Sequence, residues 1–280
     1  MKTCDLHTHS IFSDGTFTPE EIIDAAIDEG LSAVALTDHN TVAGLDRLID
    51  YAKDKPIEIA PGVELSTAYY GREVHVLGLC LNVGMFDDIT AYVKTADERK
   101  EKSNIDLAQK LNANGYSFDY SAVKQSTPKG KVNRANIAAE LLRMGYISSM
   151  AEAFSTILSP EYGWYVPPER IATLDGIKYL NSIGAVVVLA HPLISMTYEM
   201  LDAFIPIAKQ NGLTGIETIY SLYSDKDTSF AKEMCHKHHL LESGGSDFHG
   251  KNKPDIMLGK GKGNLVIPLE FCEKLKEAVK

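Results

Sequence analysis

Short apolar runs alternate with helix-period patterns along two stretches of the chain, roughly residues 1 to 80 and 185 to 250. Lys2 to Leu6 reads as a first strand. Thr18-Pro19-Glu20-Glu21 has the form of a capping box with proline at the first helical position, and it predicts a helix through Ile22, Ile23, Ala26 and Ile27 that Gly30 ends. A strand over Ala33 to Leu36, a helix over Val42 to Ala52, and strands over Ile57 to Ala60 and Val74 to Leu79 follow. The rhythm resumes with AVVVLA at Ala185 to Ala190, an apolar run of the kind that forms a strand buried on both faces. After it come a helix near Tyr198 to Gln210, a strand over Thr214 to Ile219, a helix over Asp225 to His236 and a strand over Leu240 to Ser243. About seven strands, mostly separated by helices, predict an α/β fold: a parallel barrel or an open doubly wound sheet.

Between about Met85 and Ile171 the pattern is helical throughout. Helices are expected over Asp87 to Asn114, over Arg134 to Met144 with Gly145 closing it, and over Ser149 to Leu158, opened by the capping-box spelling Ser149-Met150-Ala151-Glu152. The charge block DERKEK in the first of these reads as a solvated helix face. The expected organisation is a barrel made of residues 1–84 and 172–280 with a helical insertion subdomain at 85–171.

With 280 residues, 44% hydrophobic and 24% charged, the chain can bury one large core or a core plus a subdomain. Its net charge of -10 argues against duplex nucleic acid as a partner, because that binding needs many Lys and Arg contacts to phosphate. A small anion would need positive charge concentrated at one place, and divalent cations can supply it. Cys4, Cys80, Cys235 and Cys272 form no CxxC pair, so no thiolate zinc knuckle or redox motif is expected. Residues 1 to 17 lack the features of a secretory signal, and no run approaches about 18 apolar residues. A cytoplasmic protein without a membrane partner is expected.

The chemistry-bearing residues gather where an α/β barrel builds its site, at the carboxyl ends of strands. His7, His9 and Asp14 follow the first strand, Asp38 and His39 the second, and Glu64 the third. His75 lies within the fourth strand, His191 follows AVVVLA, and Asp247 and His249 follow the last strand. Six of the nine histidines belong to this set. Imidazole with carboxylate and no thiolate suits zinc, manganese or iron. In the spacings HxH and DxH, both side chains of an extended segment point to one side. Taken singly, each residue could equally be a cap, turn or hydrogen-bonded core group; the joint placement favours metal binding. Asp5 and Asp38 read either as carboxylates orienting the imidazoles or as turn and capping groups. His236, His238 and His239 read as cationic groups at a helix C-terminus rather than ligands.

The segments DLHTHSIFSDGTFTPEEII, ALTDHNTVAG, PGVELS, EVHVLG, LAHP and GGSDFHG, in this order and spacing, resemble the PHP (polymerase and histidinol phosphatase) metal-dependent phosphoesterases. The resemblance implies a distorted (βα)7 barrel of TIM-like, PHP type with two to three divalent ions (Mn, Zn or Fe). It implies His7, His9, Glu64 and Asp247 around one metal, Glu64, His75 and His191 around a second, and Asp14, His39 and His249 around a third. Glu64, Asp247 and His249 would be the catalytic groups. Asp14 is similar to the residue of the subgroup that includes 3',5'-nucleoside bisphosphate phosphatases and short-RNA 5'-3' exonucleases. That subgroup has an Arg-Pro-His-Ile-Ala motif in its insertion, where this chain reads NRANIAAELLRMGY. Arg134 is retained and Asn136 replaces the histidine; Asn136 can hydrogen-bond but cannot donate the same proton. Arg134, Asn136 and Ser66, which ends PGVELS, are the expected substrate-binding residues.

The expected reaction is hydrolysis of a phosphomonoester by a hydroxide shared between two metals. The expected substrate is a small phosphorylated molecule, a 3',5'-bisphosphonucleotide such as pAp or the 5' end of a short oligoribonucleotide, with the enzyme acting as a monomer or homo-oligomer. Three rivals stand beside it. Histidinol phosphate phosphatase belongs to the same superfamily. An amidohydrolase-like enzyme would be expected to use a bridging carboxylated lysine, and no lysine sits at a strand end among the candidates. A metal-stabilised binding module would be expected to lack ligands, and none is missing.

Overall fold

A computed structural model describes residues 2–127 and 132–279. Residues 128–131, inside the stretch expected to be helical, lie outside the described residues. The structure divides into two compact units, residues 1–90 with 171–280, and residues 91–170.

The first unit is built on one eight-stranded sheet among the described residues. Its strands are β1 (Cys4–Asp5), β2 (Ala33–Leu36), β3 (Glu58–Tyr69), β4 (Arg72–Leu79), β5 (Ile171–Ala172), β6 (Val186–Ala190), β7 (Gly215–Tyr220) and β8 (Leu241–Gly245). The order is β1-β2-β3-β4-β6-β7-β8, with the short β5 beside β3. The two edge strands meet through β1 and its extension: Leu6 N–H donates to Gly244 O (3.1 Å), Asp247 N–H to His7 O (2.9 Å) and His9 N–H to Phe248 O (2.9 Å). The sheet is therefore a nearly closed barrel, as the resemblance implied.

The first strand is shorter than the expected Lys2 to Leu6, and the third and fourth are longer and joined differently. The expected end of the third strand at Ala60 lies just before Pro61-Gly62, residues that often interrupt strands. In the structure the strand continues, because β4 joins it from Gly62 onward while the extension of β2 still reaches Glu64. Residues 58–61 pair in parallel with β2, and from Gly62 onward the strand pairs antiparallel with β4. Tyr70 and Gly71, both at positive φ (46° and 76°), make the two-residue turn that the right-handed strand twist favours. β4 is also antiparallel to β6. Glu64 thus lies inside a strand and not after one, and the otherwise parallel barrel carries one reversed strand. The reversal puts His75, near the start of β4, level with Ser66 on β3 and Ala190 at the end of β6.

Helices α1 (Pro19–Asp28), α2 (Leu45–Ala52), α7 (Thr173–Ser182), α8 (Tyr198–Gln210), α9 (Asp225–His238) and α10 (Leu269–Glu277) belong to this unit. The Thr18 capping box is formed as expected, with Thr18 Oγ1 accepting from Glu21 N–H and the Glu21 carboxylate from Thr18 N–H. The helix expected from Val42 starts only at Leu45. The apolar interior comprises Leu6, Ala33, Ala35, Leu77, Leu79, Val186, Val188 and Ala190, closed at one end by Ile267, Cys272 and Leu275. All five residues of β6 are buried, as its unbroken apolar run predicts.

The second unit is helical. It holds most of α3 (Phe86–Ala113), with α4 (Tyr120–Ser126), α5 (Arg134–Arg143) and α6 (Met150–Ser155), around a core that includes Leu107, Leu111, Phe118, Ile137, Leu141 and Leu158. The expected Ser149 capping box is only half formed. Ser149 Oγ accepts from Glu152 N–H, but the Glu152 carboxylate takes Ser148 N–H (2.7 Å) and Oγ–H (2.6 Å) instead. α6 stops at Ser155, short of Leu158, where Ser155 and Thr156 turn their hydroxyls onto Glu152 O and compete with the helical ladder.

Candidate metal centre

The histidines of the HxH spacing sit on the backbone segment that seals the barrel, and alternation along that segment aims both rings inward. Their Nε2 atoms lie 3.1 Å apart, and both side chains are fully buried. Asp247 and His249 are brought to them by the opposite edge of the same seam, with Asp247 Oδ1 3.7 Å from His7 Nε2 and 3.2 Å from His9 Nε2. β2 continues past its end far enough for His39 to pair with Glu64 on β3. The reversed strand adds His75, and the end of β6 adds His191.

Glu64 is at the middle of this arrangement. Its Oε1 meets His75 Nδ1 at 2.8 Å and His191 Nε2 at 3.2 Å. Its Oε2 lies 2.9 Å from His39 Nδ1, 3.2 Å from His9 Nε2 and 3.3 Å from His7 Nε2, yet none of these has hydrogen-bond geometry. Asp14 is the second focus. Its carboxylate is 3.1 Å from His249 Nε2, 3.6 Å from His9 Nδ1 and 3.8 Å from His39 Nε2.

All nine residues expected as ligands are therefore brought together. Compact donor sets form from His9, Asp14, His39 and His249, from His7, His9 and Glu64, from His39, Glu64 and His75, and from His7 and His191 with Glu217, a carboxylate outside the nine. Imidazole nitrogens facing one another around a buried carboxylate oxygen without a proton donor fit a divalent cation.

The electrostatics follow from the same crowding. Burial opposes ionisation of Glu64, but His39, His7 and His75 outweigh it and hold the carboxyl well below its usual range. Asp14 is depressed in the same way by His39 and His249, and Asp247 by His249 and Lys253. Burial dominates at His39 and lowers it to about 4, so this ring is neutral at pH 7.

Of the two carboxylates that read either as imidazole-orienting or as turn groups, both serve the backbone and hydroxyls. Asp5 accepts from Ser246 N–H and Oγ–H, Gly259 N–H and His7 N–H. Asp38 accepts from Ser10 N–H and Oγ–H and from Ser13 Oγ–H, and Ser13 Oγ lies 3.4 Å from His9 Nδ1. Ser66 donates its N–H to Asn40 Oδ1 and lies 3.5 Å from His39 Nδ1 through its hydroxyl. His238 pairs with Asp202, and His239 forms the left-handed cap of α9.

Three groups escaped the sequence reading. Glu217, in β7, meets His7 Nδ1 at 3.2 Å and is fully buried. Tyr220 O–H and Lys253 Nζ both donate to Asp247 Oδ2, at 2.9 and 2.6 Å. The signal for Glu217 was a lone carboxylate in the otherwise apolar run GIETIY; Tyr220 and Lys253 carried none.

Within the helical unit, Arg134 starts α5 with its guanidinium 5.2 Å from the Tyr165 ring centre and 5.6 Å from that of Phe154. Asn136 Oδ1 accepts from Asn133 N–H, and Asn133 Oδ1 accepts from Asn136 N–H. The residue in place of the motif histidine thus completes the cap of its own helix.

A nearly closed α/β barrel with carboxylates and imidazoles converging at one end defines a class of metal-dependent hydrolases. The chain belongs to the PHP domain family, whose profile matches residues 5–159. It is similar to a 5'-3' exoribonuclease of Haemophilus influenzae, 31% identical and aligned over 89% of this chain and 90% of that protein. It is also similar to a 3',5'-nucleoside bisphosphate phosphatase of Chromobacterium violaceum, 29% identical over 89% of this chain and 88% of the relative. A solved structure from Bifidobacterium adolescentis, described as a metal-dependent phosphoesterase, superposes with a TM-score of 0.86 at 25% identity and covers 100% of this chain and 97% of its own. The protein is a metal-dependent phosphoesterase, a hydrolase of phosphoric ester bonds. Among the described residues no helix is long and apolar enough to cross a membrane.

Proposed function

We propose that this enzyme hydrolyses a terminal phosphate of a nucleotide, either a 3',5'-bisphosphonucleotide such as pAp or the 5' end of a short oligoribonucleotide, with two to three bound Mn, Zn or Fe ions. The observation that carries the metal reading is Glu64 Oε2, a buried carboxylate oxygen ringed by three imidazoles and hydrogen-bonded to none. His7, His9, Glu64 and Asp247 would hold one ion, Glu64, His75 and His191 a second, and Asp14, His39 and His249 a third. When bound, such ions supply Lewis acidity toward the phosphoryl oxygens and acidify water at neutral pH.

The remaining chemistry is that of the chain. Glu64 offers one oxygen to each side of the centre. Asp247 has Oδ2 held by Tyr220 and Lys253, which leaves Oδ1 facing the position it would share with His7 and His9, to hold the ion and the water bound there. His249 Nδ1 donates to Asp247 O at 2.8 Å, so its Nε2 carries the free lone pair and faces Asp14. Ser66 borders the cluster beside His39. Arg134 is carried as a phosphate-binding residue by its motif, with its guanidinium steadied by the rings of Tyr165 and Phe154. Asn136 retains only its amide donors for a substrate, because its oxygen serves the helix cap. The acidic chain disfavours duplex nucleic acid, whereas a short end or a free nucleotide needs only local neutralisation.

The names of the relatives support the nucleotide class over histidinol phosphate. The amidohydrolase alternative lacks its bridging lysine: Lys253, the lysine that reaches the cluster among the described residues, is already paired with Asp247. The test is phosphate release from pAp, a 5'-phosphorylated short RNA and histidinol phosphate by metal-analysed protein, with His75→Ala and Asp247→Ala alongside. Release from the nucleotide substrates is expected, with metal content reduced and activity more than about 100-fold lower in both variants, beyond what loss of an outer partner costs. A preference for histidinol phosphate would overturn the substrate, and full activity in both variants the mechanism.

A further inference from the structure

Glu217 is a fully buried carboxylate outside the nine expected ligands, although it falls in a compact donor set with His7 and His191. Its two oxygens go to two different elements of the centre. Oε1 meets His7 Nδ1 at 3.2 Å, on the seam beside β1, and Oε2 accepts His191 N–H at 2.8 Å, just past the end of β6.

Both contacts constrain a donor atom. A carboxylate facing Nδ1 places the ring proton there and leaves the His7 Nε2 lone pair aimed at Glu64 and Asp247, since the two ring nitrogens of a neutral imidazole have opposite roles. His191 has φ 28° and ψ 49°, a backbone conformation that non-glycine residues avoid. A charge-assisted hydrogen bond to its amide holds that turn and so holds the ring against Glu64. The His7 and His191 rings lie nearly parallel, 5.4 Å apart at 15°.

The fold makes room for this bond and for nothing bulkier. A Cβ on Gly245 would stand 2.1 Å from His7 Cβ and 2.9 Å from Glu217 Oε1.

We propose that Glu217 is a positioning residue that couples two metal positions, one oxygen setting the His7 tautomer and the other pinning the strained His191 backbone. The inference rests on reading His7 and His191 as ligands of different ions. Glutamine is nearly isosteric but cannot accept at both ends. With its amide toward His7, the ring proton moves to Nε2, where a ligand must be bare; with its amide toward His191, two N–H groups face each other.

The test is Mn2+ titration of stripped protein by calorimetry and metal analysis, with Co2+ absorption at saturation, on wild type, Glu217→Gln, Glu217→Asp and His7→Ala. In Glu217→Gln, affinity at two positions is expected to fall about 10–100-fold together. The position formed by Asp14, His39 and His249 should keep its affinity, and the Co2+ spectrum at saturation should match wild type. Glu217→Asp keeps the charge but loses one methylene of reach, and should lose affinity too; it serves if the glutamine variant does not fold. Wild-type binding in both Glu217 variants beside impaired His7→Ala would overturn the role of Glu217. A changed Co2+ spectrum at saturation would also overturn it, by making Glu217 a ligand. Unimpaired binding in His7→Ala would instead overturn the ligand reading beneath it.

Discussion

His9 and His75 show how single side chains answer to their surroundings. Burial by itself would strip their protons, but Asp247 and Glu64 around His9, and Glu64 and Glu73 around His75, reverse the balance and raise them to about 9 and about 10 in the metal-free protein. Both lie above the unfolded value of about 6.5. Their contribution to stability is therefore complete below about pH 6.5 and is lost as pH climbs through 9 to 10. A metal ion must displace the same protons, so its binding strengthens over this window. Thermal unfolding of stripped protein from pH 6 to pH 10.5 should show the melting temperature falling by about 5 °C or more. Saturating manganese should abolish the fall; a flat profile for the stripped protein would contradict these assignments.

Among the elements, β8 has the tightest requirement, since Gly245 packs directly on His7. Gly245→Ala should displace the HxH segment and lower manganese stoichiometry in metal analysis while far-UV circular dichroism stays near wild type. A variant with full stoichiometry would show that the seam can yield. The same scale shows what could be read from the chain. β2 and α8 match their sequence patterns residue for residue, because each has an unbroken period and clear flanking signals. β3 runs beyond its expected end at Ala60 because β4 pairs with it from Gly62 onward, a tertiary contact that Pro61-Gly62 does not signal locally. The reversal of β4 hangs on a Tyr70-Gly71 turn without the usual Asn or Asp signal. The ligand residues were legible since imidazoles and carboxylates at strand ends have a pattern; Glu217 and Tyr220 act through neighbours far away in sequence, and Lys253 reaches Asp247 across an irregular loop, so no local pattern encodes them.

At the scale of the molecule, the centre joins contacts of very different reach. Glu64 and His75 are 11 residues apart on one hairpin, whereas Asp5 and Ser246, which buttress the seam, are 241 apart. The entropy of closing a loop grows with its length, and long-range pairings slow folding. The hairpin half of the centre should thus be assembled while the barrel is still open, and the two chain ends should complete it last. In a pulse-labelled refolding experiment, amides of β3 and β4 should gain protection before those of Leu6, His9 and Asp247; simultaneous protection would refute this order. Refolding begun with manganese present should then acquire its tightest binding only in the final kinetic phase, so that the arrival of the metal reports when the circle has closed.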